Sequence, residues 1–319
     1  MSELPPYATT GQKVWYYAFR VICGLIFLFL IAPILIILPL SFNIQPYFSF
    51  TNEMLSLSPD GYSTRWYWDI FKNGMANPEA TGSDFWNDAW ENSQWLRAVK
   101  NSFFIGIFAT LLSTSLGTLA AIGLSRSEMP HKKLIMSILI SPMIIPLVII
   151  GASMFFFFSQ DLNPTNWFSE GPHDDKWQLA FTYGGLILAH AALGTPFVII
   201  TVTATLSSFD QSLVRAAQSM GANPVTTFFK VQMPLILPGV ISGALFAFIT
   251  SFDEVVVVLQ MATAEQRTIP RQMFSGIREQ ISPTILAVAT ILVLISIALL
   301  TTVELLRRRS ERLRGMSPQ

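Results

Sequence analysis

Two adjacent carboxylates, Asp253 and Glu254, lie in the apolar stretch TSFDEVVVVLQ. A charged group at membrane depth is costly, so such an acid faces a bundle interior, a cavity or a partner charge. Four readings of the pair are open. It lines the path of a cationic solute; it makes a structural ion pair or hydrogen bond, with Arg278 or a neighbouring subunit; it lies nearer the interface; or it relays protons. No chain of further carboxylates or histidines accompanies it, which weakens the relay. On a continuous helix, neighbouring residues point about 100° apart, so the two acids would not both face one small site.

Other chemistry is sparse. His190 stands alone in an apolar stretch, whereas His131 and His173 fall in polar connections. An isolated histidine there is expected to hydrogen-bond to another helix rather than ligate or act as a base. No G-x-x-x-x-G-K-[ST] loop, H-E-x-x-H, C-x-x-C or G-x-S-x-G elbow occurs. An enzyme assembled in the membrane would need a polar constellation that this sequence lacks. The single cysteine, Cys23, lies in an apolar run and has no disulfide partner within the chain.

Composition supplies the medium in which these residues act. Of 319 residues, 51% are hydrophobic and only 13% are charged, and the mean hydropathy is +0.48. Soluble domains carry about a quarter charged residues, so the chain is built for lipid. Net charge is zero, which removes bulk basicity as a case for nucleic-acid binding. Six stretches are long and apolar enough to cross a bilayer as helices, near 18–42, 99–125, 133–158, 180–206, 236–262 and 284–306. The first has no small-residue cleavage site after it and is read as retained. The expected fold is therefore an all-α membrane protein with six spans, flanked by a segment 1–17 and a basic tail 307–319.

Lysines and arginines divide twelve against eight when the N-terminus is inside, led by Lys132, Lys133 and the run Arg307–Arg309. That places both termini in the cytoplasm. The outer segment 43–98 is rich in aromatics, among them Trp66, Trp68, Trp86, Trp90 and Trp95. It reads as an aromatic belt at the headgroups or as a docking surface. Two stripes of small residues, Ala109–Ser113–Gly117–Ala121 and Gly239–Gly243–Ala247, let helices approach closely. Pro142, Pro146 and Pro196 are expected to bend or unwind their spans.

One segment does not fit the membrane pattern: SLVRAAQSMGANPVTTFFKVQMP, within the cytoplasmic stretch 207–235. Ser208 or Asp210 can cap a helix there. Leu213, Ala216, Ala217 and Met220 then share a narrow apolar face. Gly221 suits the left-handed residue that ends the helix, Asn223–Pro224 restart the chain, and Pro234 closes the second piece. Such a short helix needs packing, onto its own bundle or into a partner's groove.

RAAQSMG, nine residues and VQMP resemble the E-A-A-x-x-x-G-x9-I-x-L-P motif of permeases from binding-protein-dependent ABC importers. Ala216, Ala217, Gly221 and Pro234 match, Val231 and Met233 are apolar replacements, and Arg215 stands where that family has glutamate. GTPFVIITV, SFDEVVVV, SPTILAVATILVLIS and SPDGYSTRWY are similar to permeases of the spermidine/putrescine subfamily, whereas the loop 73–95 is longer. The resemblance implies the smaller importer fold and alternating access. It implies a second, related permease, two ABC ATPases, a solute-binding protein and surrounding lipid as partners. No cofactor is implied in this chain; ATP and Mg belong to the ATPase. It assigns coupling to Arg215, Ala216, Ala217, Met220, Gly221 and Pro234, and the path of a small cationic organic solute, a polyamine first, to Asp253 and Glu254. Related importers for other small organic solutes share these phrases. A secondary transporter would instead be expected to show inverted repeats or paired broken helices, and neither is evident.

Overall fold

The computed structural model describes residues 7, 9–126, 128–160, 178–207, 209–279 and 282–313. In chain order the helices are α1 Thr10–Leu40, α2 Asn52–Leu55, α3 Arg65–Lys72, α4 Ser83–Asn92, α5 Gln94–Ser125, α6 Lys132–Ile140 and α7 Leu147–Phe158. They continue with α8 Tyr183–Ser207, α9 Ser212–Ser219, α10 Pro224–Thr227, α11 Met233–Phe252, α12 Val256–Met261, α13 Ile269–Glu279 and α14 Thr284–Leu313. His173, Ser208 and the last residues of the basic tail, 314–319, lie outside the described residues. Two compact units divide the chain, one from its two ends up to Asn73 and from Gly276, the other Gly74–Ser275.

In the first unit α1 begins at a capping box: the Thr9 hydroxyl accepts from the Gln12 amide, and the Gln12 side chain accepts from the Thr9 amide. Nearly all its large apolar side chains are exposed, as suits a helix whose solvent is lipid. Helix α3 buries Trp66 and Ile70. The Trp66 indole donates to the Asn43 carbonyl at 2.6 Å, and the Thr284 hydroxyl at the start of α14 donates to Asp69 at 2.6 Å. Helix α14 runs to Leu313, beyond the expected end at 306.

The second unit is organised on α5, α8 and α11, which pack on one another. The small-residue stripes make that contact possible. Ala109, Ser113, Gly117 and Ala121 of α5 are all buried, as are Gly239, Gly243 and Ala247 of α11. A Cβ on Gly117 would lie 2.7 Å from Cβ of Val198 on α8, and one on Gly243 would lie 2.9 Å from the Val198 Cα. Backbones this close forgo side-chain volume in exchange for dispersion contacts along the whole crossing. Ser113 adds a polar tie by donating to the Ala191 carbonyl of α8 at 3.0 Å.

The span pattern follows the sequence expectation at the bend between α6 and α7 and departs from it at Pro196 and at the end of the fifth span. Among the described residues, four helices are long and apolar enough to cross a membrane, Thr10–Leu40, Gln94–Ser125, Tyr183–Ser207 and Pro224–Phe252, and α6 and α7, bent by 99° at their junction, make a fifth when taken as one span. That bend falls at Ser141–Pro146, where Pro142 and Pro146 both remove backbone donors. Pro196, by contrast, leaves α8 continuous and is buried in it. The expected fifth span does not reach 262. It stops at Phe252 and restarts as α12 at Val256.

Candidate coupling segment and translocation path

The polar segment after α8 is built by local rules. Asp210 accepts from the Ser212 hydroxyl at 2.7 Å and from the Ser212 amide at 2.8 Å, holding the chain at the entrance to α9. Those two bonds also hold its carboxyl below the usual range. At the exit, Gly221 adopts φ +86°. Its amide donates to the Gln218 carbonyl at 2.9 Å, and the Ala222 amide reaches back to the Ala217 carbonyl at 3.1 Å. This is the paired-bond glycine stop that satisfies the last carbonyls of a helix. Asn223 then accepts from the Thr226 amide at 2.7 Å, with Pro224 in the first turn of α10.

The expected apolar face of α9 is divided. Ala217 is buried, while Leu213, Ala216 and Met220 stay exposed, Met220 by 82%. Arg215 is exposed on the same helix. Val225 and Phe229, on the pieces that α9 packs against, are also largely exposed. Pro234 does not close the second piece. A π-helical turn, Phe228–Gln232, joins α10 to α11, and the helical path continues for 29 residues from Pro224 to Phe252. Proline in a helix removes one donor and pushes on the carbonyl four residues back, here Lys230. The wider turn lies around that carbonyl and absorbs the clash.

At the far end of this path lie the two acids. Helix α11 ends with the Asp253 amide donating to the Ile249 carbonyl at 3.0 Å. Glu254 is 5% exposed, and its carboxylate accepts from the Val257 amide at 2.9 Å. It thereby caps the first turn of α12, so the interruption has a physical cause: the buried acid takes a backbone donor that a continuous helix would not release. Asp253 is exposed at the break. The pair is thus divided, with Glu254 folded onto the backbone and Asp253 facing outward. Two residues before the break, Ser251 hydrogen-bonds Nδ1 of the buried His190 on α8 at 2.8 Å. This bond between helices is the role expected for that histidine.

A polar network beyond the break was not anticipated. The Asn101 amide on α5 donates to the carbonyls of Glu265 at 2.7 Å and Arg267 at 2.9 Å, and the Tyr183 hydroxyl donates to the Asn101 oxygen at 2.9 Å. Ser102 accepts from the Ile269 amide at 2.8 Å, capping α13 from another helix. Arg271 donates to the carbonyls of Val258, Ala262 and Thr263, which finish α12. Burial, together with the positive Arg267 nearby, holds its guanidinium below the ordinary arginine value. Asn101 also lines a cleft of about 540 Å³ with Arg97, Lys100, Phe104, Tyr183 and Glu265. Only the change from charged to uncharged residues after Lys100 marks this end of α5 in the sequence.

Long apolar helices in close contact, with a capped helix–turn–helix at one end and a capped break at the other, define an all-α integral membrane protein. The chain belongs to the family described as binding-protein-dependent transport system inner membrane component, whose profile matches residues 113–314. It is the inner-membrane permease of an ABC importer, a transport subunit and not the catalytic one.

Among curated proteins it is similar to the spermidine/putrescine transport system permease protein PotC of Haemophilus influenzae, 28% identical over 89% of this chain and 94% of PotC. The putrescine transport system permease protein PotI of Escherichia coli K12 is 28% identical over 83% of this chain and 82% of PotI. Among solved structures, a bacterial ABC transporter for import of the acidic polysaccharide alginate matches with a TM-score of 0.64 at 16% identity, covering 94% of this chain and 99% of that one. The alginate transporter in complex with its alginate pentasaccharide-bound periplasmic protein matches with a TM-score of 0.56 at 17% identity, over 74% and 85% of the two chains. These two likenesses bear on the fold alone.

Proposed function

We propose that this chain forms half of the translocation path of a polyamine importer. Six crossings are made by α1, α5, the bent pair α6–α7, α8, α10–α11 and α14, with both termini in the cytoplasm. The partners on this reading are a related second permease, two ATPase subunits that bind ATP and Mg, and an extracytoplasmic solute-binding protein. The α9 face formed by Leu213, Ala216 and Met220 enters a groove of the ATPase, and Arg215 meets that surface with a positive charge.

The observation that carries the reading is the exposed Asp253 at the end of a helical path that begins at the Gly221 turn. At about 1.5 Å per residue, 29 residues span roughly 43 Å, enough to link one face of a bilayer to the other. A displacement at the coupling turn therefore reaches a carboxylate suited to an ammonium group. The similarity to PotC and PotI supports a polyamine as that cation.

The test is reconstitution with its cognate ATPase and solute-binding proteins. Uptake of spermidine or putrescine, dependent on ATP and on the binding protein, is the expected result. Failure of the chain to bring down any ATPase subunit would sink the coupling assignment. Assembly with uptake of a neutral or anionic solute instead would overturn the polyamine assignment alone.

A further inference from the structure

Helix α4 presents three different faces. Phe85 and Ala89 are buried on the side that packs toward α5. Asp88 accepts from the amides of Ala76 and Asn77 and from the Asn92 side chain, pinning the preceding turn to a second side. Trp86 and Trp90, four residues apart, are 53% and 60% exposed and share the third. Two large indoles kept half in the open on a helix with a rigid backing call for an environment that is part apolar and part polar.

The register of α4 against α5 supplies that environment. Ser93 ends α4 and caps α5 in one residue, so the chain turns back on itself there. The Lys100 ammonium lies 4.5 Å from the Trp90 ring centre and also donates to the Trp90 carbonyl, while Arg97 donates to the Glu91 carbonyl. The last turn of α4 therefore lies beside the first turns of α5. Lys100 is the last charged residue before the uncharged run 101–125 of that span. A run of this length covers about 37 Å, more than the hydrocarbon thickness of about 30 Å. Trp90 is thus held beside Lys100, where the charges of α5 stop and its uncharged run begins.

We propose that Trp86 and Trp90 anchor this end of the permease in the headgroup layer of the bilayer, with Lys100 placed at the lipid phosphates. Indole rings favour that layer because their apolar bodies and N–H donors are both satisfied there. The backing contacts fix the depth of α5 and resist its sliding along the membrane normal. The occupant is lipid, not a soluble partner, and the assignment does not depend on which solute is carried.

Spin labels placed by Trp86→Cys or Trp90→Cys, in a Cys23→Ser background of the full chain in liposomes, test this directly. Thr81→Cys provides a water reference, and Leu111→Cys, exposed within the uncharged run, provides a lipid reference. Labels at 86 and 90 should show oxygen accessibility between the two references and nickel-chelate accessibility below that at 81. Accessibility equal to that at 81 would refute the anchor. Low accessibility to both reagents would also refute it, by placing protein over the face. Loss of nickel access only after the solute-binding protein is added would reassign the face to that partner. A second measurement avoids the cysteine variants: brominated lipids should quench wild-type tryptophan emission by a larger fraction than that of Trp86→Phe/Trp90→Phe, and equal quenching overturns the proposal.

Discussion

Gly221 offers the sharpest test of the coupling assignment, because its environment separates backbone strain from packing. Its φ of +86° is a region that residues with a side chain rarely adopt, and a Cβ built there meets nothing within 4 Å. Alanine would therefore cost about 1–2 kcal/mol in backbone energy without any clash. Part of this is offset because alanine has less freedom than glycine in the unfolded chain, which leaves about 1 kcal/mol net. Helix α9 has eight residues and is marginal alone, so that loss reaches the population competent to dock. The ATPase affinity should fall by up to about fivefold. Asparagine tolerates the left-handed region better, so Gly221→Asn should recover most of the loss. Gly221→Pro should be worst, since it removes the donor to Gln218 and fixes φ at about −65°. The assay is binding of the cognate ATPase subunit to the permease in nanodiscs, with substrate-stimulated hydrolysis measured in parallel. If the alanine, asparagine and wild-type proteins bind and couple alike, the glycine stop does not hold the docking helix and the reasoning fails.

Three further outcomes are expected. Asp253→Asn should lower uptake of a cationic solute while assembly with the ATPase, followed by co-purification, stays at the wild-type level; unchanged uptake would remove Asp253 from the path. His190→Leu and Ser251→Ala should each destabilise the fold, and a double-mutant cycle on thermal unfolding should give a coupling of about 0.6 kcal/mol, at most about 1.7 kcal/mol; additive effects would show that their 2.8 Å bond contributes nothing. Gly243→Ala drives a methyl against Thr201 and the Val198 backbone, so α8 and α11 must separate at a cost of about 1–3 kcal/mol. An unchanged melting temperature would contradict the close crossing.

Where the chain obeys local rules, the sequence was informative. Gly221, Asn223 and Pro224 each have a narrow set of backbone roles, so the turn between α9 and α10 could be read without its surroundings. The bend between α6 and α7 followed from two prolines four residues apart. Pro196 and Pro234 gave the wrong expectation because the outcome depended on neighbours. One is packed into a continuous helix, and the other is accommodated by a widened turn. The break at Asp253 was hidden in a run of valines that reads equally well as membrane helix. Only the burial of Glu254 shows that its carboxylate takes a backbone donor. The Asn101 network was beyond reach for a different reason, since its partner at Glu265 is 164 residues away. No periodicity reports such a pairing.

The π turn and the break together decide how the segment Pro224–Phe252 can act. Had Pro234 ended the second piece, movement of α9 would have been absorbed by a flexible joint at the base of α11. The wider turn instead preserves helical continuity past the proline, so α9 packs against the foot of a stiff element. At the other end, Glu254 caps α12 and Arg271 holds the last carbonyls of that short helix, so the chain beyond the break is secured separately. A shift of the rod is then taken up between Phe252 and Val256, where Asp253 is exposed. Ser251 restrains the rod through His190 just short of that point. On the proposed reading, this makes the three-residue break the one place along the path where a movement begun at the ATPase changes what a passing cation meets.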